Sequence, residues 1–539
     1  MKVFTVLIIL LFSSNYYSQQ LKYSEFIHAN NIKMWVDAYG AGSHDPYTDD
    51  AGLFWGVDSQ GKELTAIFTD GPLFGFKLRD SIHVHGATYR YGLNPIPFGP
   101  STDNRLQTIA KIARNWDNET NPELKNVYEF YHDNYPAFHG APFTDKNGNG
   151  LYDPDHDTPE YLGDETLWWK SFPNDSNRTK FLFGSPRVNL EIQTTVWAEN
   201  SRFPDVVYKE YLFINHEPDT MKDFYFAYWS DPDAGNHKDD YVGVDTSLNM
   251  MFAYNGDDYD EDAYLERPAS VGYLLLDGPV IQSNELDTAR FNGVLNLYKK
   301  NQNLHSFYFY ENNSGDDDYP FEVYSFTLQS YNQMQGLLWN GDYIIDPVTN
   351  EITKFSLNGD PIEGTGWYEG DGNPYNLNPG DRRMMMSAGP FNMAPGDTNS
   401  VTFAICLARD TGRLNSLAKL KQLAADVKYH WLYEVERTFP EPEIIREEPE
   451  IPTSFVISNN YPNPFNNATS INLELPQSGN IKIVVFNALG EVVSEITEHS
   501  PTAGYKSIQI NSSGLSSGVY YYTVLFRGET KLGKFVMLK

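Results

Sequence analysis

The chain of 539 residues holds a single cysteine, so no intrachain disulfide can form. Basic residues are scarce. Forty Lys and Arg stand against 72 Asp and Glu, a formal net charge of −32. That balance opposes binding to a nucleic-acid backbone, which needs a basic surface, and to an anionic membrane. It favours solubility and cation binding. Apolar runs are short, and a mean hydropathy of −0.49 excludes a polytopic membrane protein. Aromatic residues are plentiful, with 37 Tyr, 33 Phe and 10 Trp beside 40 Gly and 32 Pro. This mixture leans toward β-structure with many turns. The length suits about three to four domains at ~150 residues each.

Lys2 is followed by an apolar run over residues 3–12, broken by Thr5, and then by a polar stretch ending in Tyr17-Ser18-Gln19. This layout is that of a secretory signal peptide, with cleavage expected near Ser18. The run is short for a bilayer, which takes ~20 residues. No later segment reads as transmembrane. Residues 434–453, EVERTFPEPEIIREEPEIPT, are dominated by Pro and Glu and read as a stiff, extended linker. The expected organisation is a signal peptide (1–18), an N-terminal mixed, β-rich region with a calcium-type loop (19–170), and a β-sandwich domain closed by a helix (171–433). The linker (434–453) and a small C-terminal β-sandwich (454–539) complete it.

In the tail, Ile471-Asn-Leu-Glu-Leu475 alternates apolar and polar residues, and residues 481–486 and 519–526 are strand-like. Turn residues punctuate them at Gly479-Asn480, Gly490 and Ser516-Ser-Gly518. Asn460-Tyr-Pro-Asn-Pro-Phe465 precedes these strands, Leu515-Ser-Ser-Gly-Val-Tyr-Tyr-Tyr522 lies among them, and Lys534-Phe-Val-Met-Leu-Lys539 closes the chain. The tail resembles the type A sorting domain of the type IX secretion system, departing at Asn467, where the family often has proline. The resemblance implies a diderm bacterium, inner-membrane export by the signal peptide, and outer-membrane passage directed by the tail, which is usually then cleaved. It further implies the type IX secretion machinery as a partner, and a passenger on the cell surface or in the medium.

Within the passenger, residues 188–197 alternate, and 206–214 and 223–229 read as strands. Phe391-Asn-Met, the turn Ala394-Pro-Gly-Asp397 and residues 401–407 look like a hairpin. Leu106, Ile109, Ile112 and Trp116 fall near helical spacing, as do Leu124, Val127, Tyr128 and Tyr131. Residues 416–432 carry an apolar helical stripe that suits core packing. The fold class expected is mainly β: antiparallel β-sandwiches with a few helices. The passenger also resembles a group of large secreted proteins that carry this tail. The stretches concerned are Ala29-Asn-Asn-Ile32, residues 231–245 followed by Tyr254-Asn-Gly-Asp257, and Gly380-Asp-Arg-Arg through Gly389-Pro390. That resemblance implies no reaction.

Asp145-Lys-Asn147-Gly-Asn149-Gly150-Leu151-Tyr-Asp153 places oxygen side chains at positions 1, 3, 5 and 9, glycine at 6, and the Leu151 carbonyl at 7. This is the first part of an EF-hand-like calcium loop and resembles the loops of dockerins and thrombospondin-type repeats. Position 12 is His156 rather than an acid, so Asp155 or Asp157 would have to supply the last ligand. A second cluster, Asp231, Asp233, Asp239, Asp240 and Asp245, follows the strand 224–229; like charges at this density repel unless a cation sits between them. Calcium is therefore the expected cofactor, in a structural role. A solvated acidic loop is the competing reading.

Patterns of catalysis are weak. Gly514-Leu-Ser516-Ser-Gly518 fits a nucleophile-elbow formula but precedes a strand. Residues 528–534 approximate a phosphate loop without its Ser/Thr. His83 and His85 read as surface alternation without a third ligand, and Cys406 as a buried thiol. The expectation is a secreted or surface, calcium-stabilised and non-enzymatic protein acting in adhesion or glycan binding, with glycans or surface proteins as partners. The alternative is a polysaccharide-acting hydrolase using an acidic pair.

Overall fold

Alternating and doubly apolar runs between residues 69 and 409 build two antiparallel sheets in a computed structural model. The structure describes residues 23–98, 108–311 without 262, 285 and 292, 326–370, 378–435, and 452–538 without 459, 461, 462, 467 and 501. The expected signal peptide and most of the linker lie outside these residues. The chain divides into two compact units, Met1–Thr438 and Phe439–Lys539.

In the first unit the main strands are β1 (Thr69–Leu78), β2 (Ser81–Gly86), β3 (Ile109–Ala113), β4 (Glu165–Phe172), β5 (Leu190–Ala198) and β6 (Val206–Asn215). They continue with β7 (Met221–Asp231), β8 (Asp240–Asp245), β9 (Met250–Asn255), β10 (Ala269–Asp277), β11 (Leu304–Glu311), β12 (Arg382–Met393) and β13 (Thr398–Arg409). The larger sheet runs β3-β4-β5-β6-β13-β10-β9-β8, with Asn94–Pro95 added beside β4. The smaller runs β11-β12-β7-β1-β2. Phe74 and Phe226 of the smaller sheet meet Phe213 and Phe403 of the larger in one continuous core. That core also takes Ile27 and Trp55 from a four-stranded sheet formed by residues 24–67. The division expected at residue 170 therefore falls inside β4, and a single core spans both sides of it.

The expected helix over 106–116 is corrected. Ile109–Ala113 is a strand paired with Glu165–Trp169, followed by a short 3-10 turn at Trp116–Asn118. Helix α1 (Pro122–Asp133) forms where Asn121 caps it, its side chain accepting from the amides of Glu123 and Leu124. Helix α2 (Arg413–Tyr433) lays Leu417, Leu420, Ala424 and Val427 on the outer face of the larger sheet, against Ala404 and Cys406. The expected hairpin at 391–407 is also corrected. β12 and β13 lie in opposite sheets, so the turn at 394–397 is an arch between layers. β6 and β7 are joined by a second arch. Asn215 ties the two together: its amide donates to Asp397 O at 3.0 Å, its side chain donates to Met393 O at 2.9 Å, and its carbonyl accepts from Gly396 N.

The core is not wholly apolar. Lys209, 1% exposed on β6, reaches across to Asp70 on β1, Nζ to Oδ1 3.1 Å, and donates to Tyr228 Oη at 2.7 Å. Ser43 and Tyr273 donate to the other Asp70 oxygen. Burial pushes the ammonium pKa down, and the Asp70 carboxylate opposes this. Gly42 makes room for the pair, since a Cβ there would stand 2.3 Å from Asp70 Oδ1 and 2.7 Å from Lys209 Nζ. A second buried ammonium, Lys111, lies 3.2 Å from both Glu25 and Glu165.

The second unit is a two-layer β-sandwich. One layer pairs Val456–Ile457, Ala468–Leu475 and Gly504–Asn511; the other pairs Val492–Ser500, Gly479–Phe486, Gly518–Phe526 and Glu529–Met537. Phe465, Ile471, Ile483, Tyr522 and Phe535 fill its core.

Replacing Lys209 by Met leaves Asp70 buried without its ammonium. We expect Lys209→Met to cost about 3–5 kcal/mol, and Asp70→Asn added to it to recover part of the loss. Urea denaturation of the single and double variants measures both. A single variant as stable as the native chain would refute the bridging role.

Candidate metal centre and two cavities

The acidic residues around 231–245 separate into distinct environments. Asp231 ends β7, Asp233 follows it, and Asp381 immediately precedes β12, which pairs with β7. Oxygens of these three carboxylates lie within 4.8 Å of one another. Arg383 pairs with Asp231 (3.4 Å) and with Asp381, and its Nε donates to Tyr89 Oη at 2.6 Å. Tyr89 in turn donates to Asp231 Oδ2 at 2.6 Å. Burial and the neighbouring Asp231 and Asp381 raise the Asp233 pKa well above the ordinary carboxylate range. Asp240 starts β8 and is buried; its Oδ2 accepts from Ala234 N at 3.1 Å. Burial and Asp233 push its pKa up. Asp239 is half-buried, its pKa raised to about 7 by burial and Asp260.

Asp245 stands apart. Its Oδ2 meets Lys421 of α2 at 3.1 Å, and its Oδ1 accepts from Ser247 and Leu248 in a turn. Sequence position alone had grouped it with the others.

The Asp145 loop is exposed and held by its own hydrogen bonds. Asp145 accepts from the amides of Gly148 and Gly150, Asn147 from Asn149, and Asn149 from Leu151. The bond from Gly150 leads the lowering of the Asp145 pKa. Buried Asp157, not residue 156, closes the loop: it accepts from Lys146 and Asp153 at 2.9 Å each. Asp153 contacts His156 at 3.0 Å.

Two cavities bear on ligand binding. The first, about 860 Å³, is lined by Phe68, Tyr89, Tyr91 and Phe181 together with Arg90 and Arg178. Arg90 lies over the Phe181 ring at 4.9 Å, and Arg178 over Tyr39 at 4.0 Å. Asp49 and His44, 2.9 Å apart, complete part of the wall. The second, about 310 Å³, lies on the outer face of the larger sheet beneath the end of α2. Trp197, Tyr208 and Trp431 stack there, and Glu210, Asp277, Glu160 and Arg290 join them. Glu210 is half-buried and accepts from Thr402 Oγ1 at 3.4 Å; burial and the Asp277 carboxylate push its pKa up to about 7. The Trp431 indole donates to Asp277 at 3.0 Å.

His83 and His85 are core residues, correcting the surface reading. Both rings pack on Phe76, and burial lowers both pKa values, that of His85 to about 3. Cys406 is fully buried, and burial raises its thiol to about 12.

Residues 459–538 match the family described as the secretion system C-terminal sorting domain. The tail is a type IX secretion sorting domain. A chain with this tail is secreted to the cell surface or the extracellular space, and the tail is its point of contact with the secretion machinery. No helix among the described residues is long and apolar enough to cross a membrane. No curated protein matches the chain. Among solved structures the chain is similar to one described as a polysaccharide lyase, at 7% identity and a TM-score of 0.27, covering 95% of this chain and 47% of that one. It is similar also to dimeric latent PorU from Porphyromonas gingivalis, at 7% identity and a TM-score of 0.14, covering 69% of this chain and 31% of that one. The third is PorZ, described as an essential bacterial surface component of the type-IX secretion system of Porphyromonas gingivalis. It is 7% identical with a TM-score of 0.13, and covers 96% of this chain and 75% of that one. The chain spans less than half the length of the lyase and of PorU.

A carboxyl with a raised folded-state pKa opposes folding increasingly as pH rises from the unfolded value, near 4, to about 7. Glu210→Gln removes that penalty in an isosteric way. We expect the variant to melt with the native chain at pH 4 and above it at pH 8, by circular dichroism. An equal offset at both pH values would contradict the raised pKa.

Proposed function

We propose that the passenger is a surface-displayed or released protein that captures acidic glycans in the cavity walled by Tyr89, Tyr91, Phe181, Arg90 and Arg178. One observation carries this reading: in a chain of net charge −32, the 860 Å³ cavity presents two guanidinium groups among aromatic rings. Aromatic faces pack on the apolar C–H face of a sugar. Guanidinium forks suit a carboxylate or sulfate. The size falls in the range of ligand pockets. The Asp145 loop enters as a structural calcium loop with Asp157 as its closing residue, which would brace the passenger in place of disulfides.

Full-length protein passed over immobilised neutral, uronate and sulfated glycans tests the proposal. Retention is expected on the acidic glycans, weakening with salt and falling at least tenfold in Arg178→Ala. Equal retention on neutral glycans, or an unaffected Arg178→Ala, would sink it.

A second reading rests on the other cavity. Glu210, with its pKa at about 7, faces the Asp277 carboxylate, and a carboxyl of that kind suits a general acid at neutral pH. In this reading the passenger hydrolyses a polysaccharide. Reducing-end release that disappears in Glu210→Gln supports it, and release that persists in that variant argues against it.

A further inference from the structure

We infer that a third cavity, at the end of β13, binds a tetrahedral oxyanion, a sulfate or phosphate group. The cavity holds about 500 Å³ and lies between the strand Leu53–Val57 of the N-terminal sheet, the last residues of β13, and α2. Arg267, Arg409 and Lys419 supply its positive charge. Its one carboxylate, Asp205, is already engaged. Its Oδ1 accepts from the Trp55 indole at 2.8 Å and from Asn31 Nδ2 at 2.9 Å.

Arg409 is the centre of the site. It is half-buried, with its guanidinium 5.0 Å from the Trp55 ring and 5.4 Å from the Tyr264 ring. Tyr264 is itself fixed, its hydroxyl donating to the carbonyls of Trp55 (3.2 Å) and Thr65 (3.1 Å). Gly56, at φ +86°, leaves room for the guanidinium, since a Cβ there would stand 3.2 Å from Arg409 Nη2. The rings hold the guanidinium in place, but they give its N–H groups no oxygen to bond. Arg267 and Lys419 donate to the Arg409 carbonyl at 3.4 and 3.3 Å, which gathers three cations at one point. Among the described residues no carboxylate pairs with Arg409 or Arg267, and Lys419 has only Asp410, at 3.9 Å.

The chain has 72 acidic residues against 40 Lys and Arg, so carboxylates are in ample supply, yet none closes this site. A guanidinium that has lost water without gaining an acceptor is costly, and charge-assisted bonds to an anion restore what it lacks. One guanidinium fork suffices for a flat carboxylate. Three cations from three separate elements suit an anion whose oxygens point in several directions, as those of sulfate and phosphate do. The site is separate from the cavity of Arg90 and Arg178 and does not depend on what fills it.

Full-length protein dialysed to equilibrium against radiolabelled sulfate, and against radiolabelled phosphate, at fixed ionic strength tests the proposal. Saturable binding of sulfate, phosphate or both is expected. Arg409→Gln should weaken it at least tenfold. Arg267→Gln, at an exposed position, should weaken it about threefold or more, and this variant decides the matter if Arg409→Gln fails to fold by circular dichroism. Binding should survive in Arg178→Ala. Displacement by a sugar sulfate ester or by a phosphomonoester then tells which group the site takes. No saturable binding of either anion would overturn the proposal. So would binding that persists in a folded Arg409→Gln, or binding abolished outright by Arg178→Ala.

Discussion

The passenger depends on an ion pair buried between its two sheets. Lys209 and Asp70 meet in a core otherwise filled by rings and aliphatic chains, and hydroxyls from Ser43, Tyr228 and Tyr273 satisfy what remains of their valence. A buried pair of this kind adds little net stability over an apolar substitute, but each half is costly without the other. It therefore acts on specificity. A shift of β6 by one residue would turn Lys209 to the outer face and Glu210 inward, since neighbouring residues of a strand point to opposite faces. The Lys111 group with Glu25 and Glu165 repeats the device where the N-terminal strands join the larger sheet. With one cysteine in the chain, charge takes over the cross-linking that disulfides give many secreted domains.

The same strand links the core to the chemistry. Lys209 faces inward while Glu210, the next residue, faces the Trp-rich cavity under α2. On the other side, Asp70 lies on β1, next to Thr69 in the wall of the arginine cavity. Both cavities are thus anchored on the strands that the buried pair positions, so the rigidity of the core carries through to the walls where a ligand would sit.

Local patterns were legible, and long-range ones were not. The tail was readable as a small β-sandwich because each strand carries its own alternation and turn, and its motifs added the resemblance to a sorting domain. Residues 188–197 and 206–214 were readable as strands for the same reason, and the α2 stripe by its spacing. The segment around Ile109 misled because β3 is buried on nearly every residue, which removes the alternation that marks a strand. The turn at 394–397 has hairpin chemistry, but the neighbours that decide its role, β6 and β7, lie far back in the chain. The cluster of Asp231, Asp233 and Asp381 shows the same limit. Asp231 and Asp233 could be suspected from crowding, whereas Asp381 is brought in only by the pairing of β12 with β7.

The paired arches fix when this protein can finish folding. β6 takes its partner from β13, with Val206 opposite Cys406, and β7 takes one from β12. Until residue 409 is available, each sheet lacks a central strand, and β6 and β7 stand as open edges. Pairing across such a span is slow, because the loop must close before any contact rewards it. The last strand to arrive lies only a helix and a linker ahead of the sorting tail. Synthesis order thereby places the address label after the final piece of the passenger, so a chain truncated before its last strand would also lack its means of delivery.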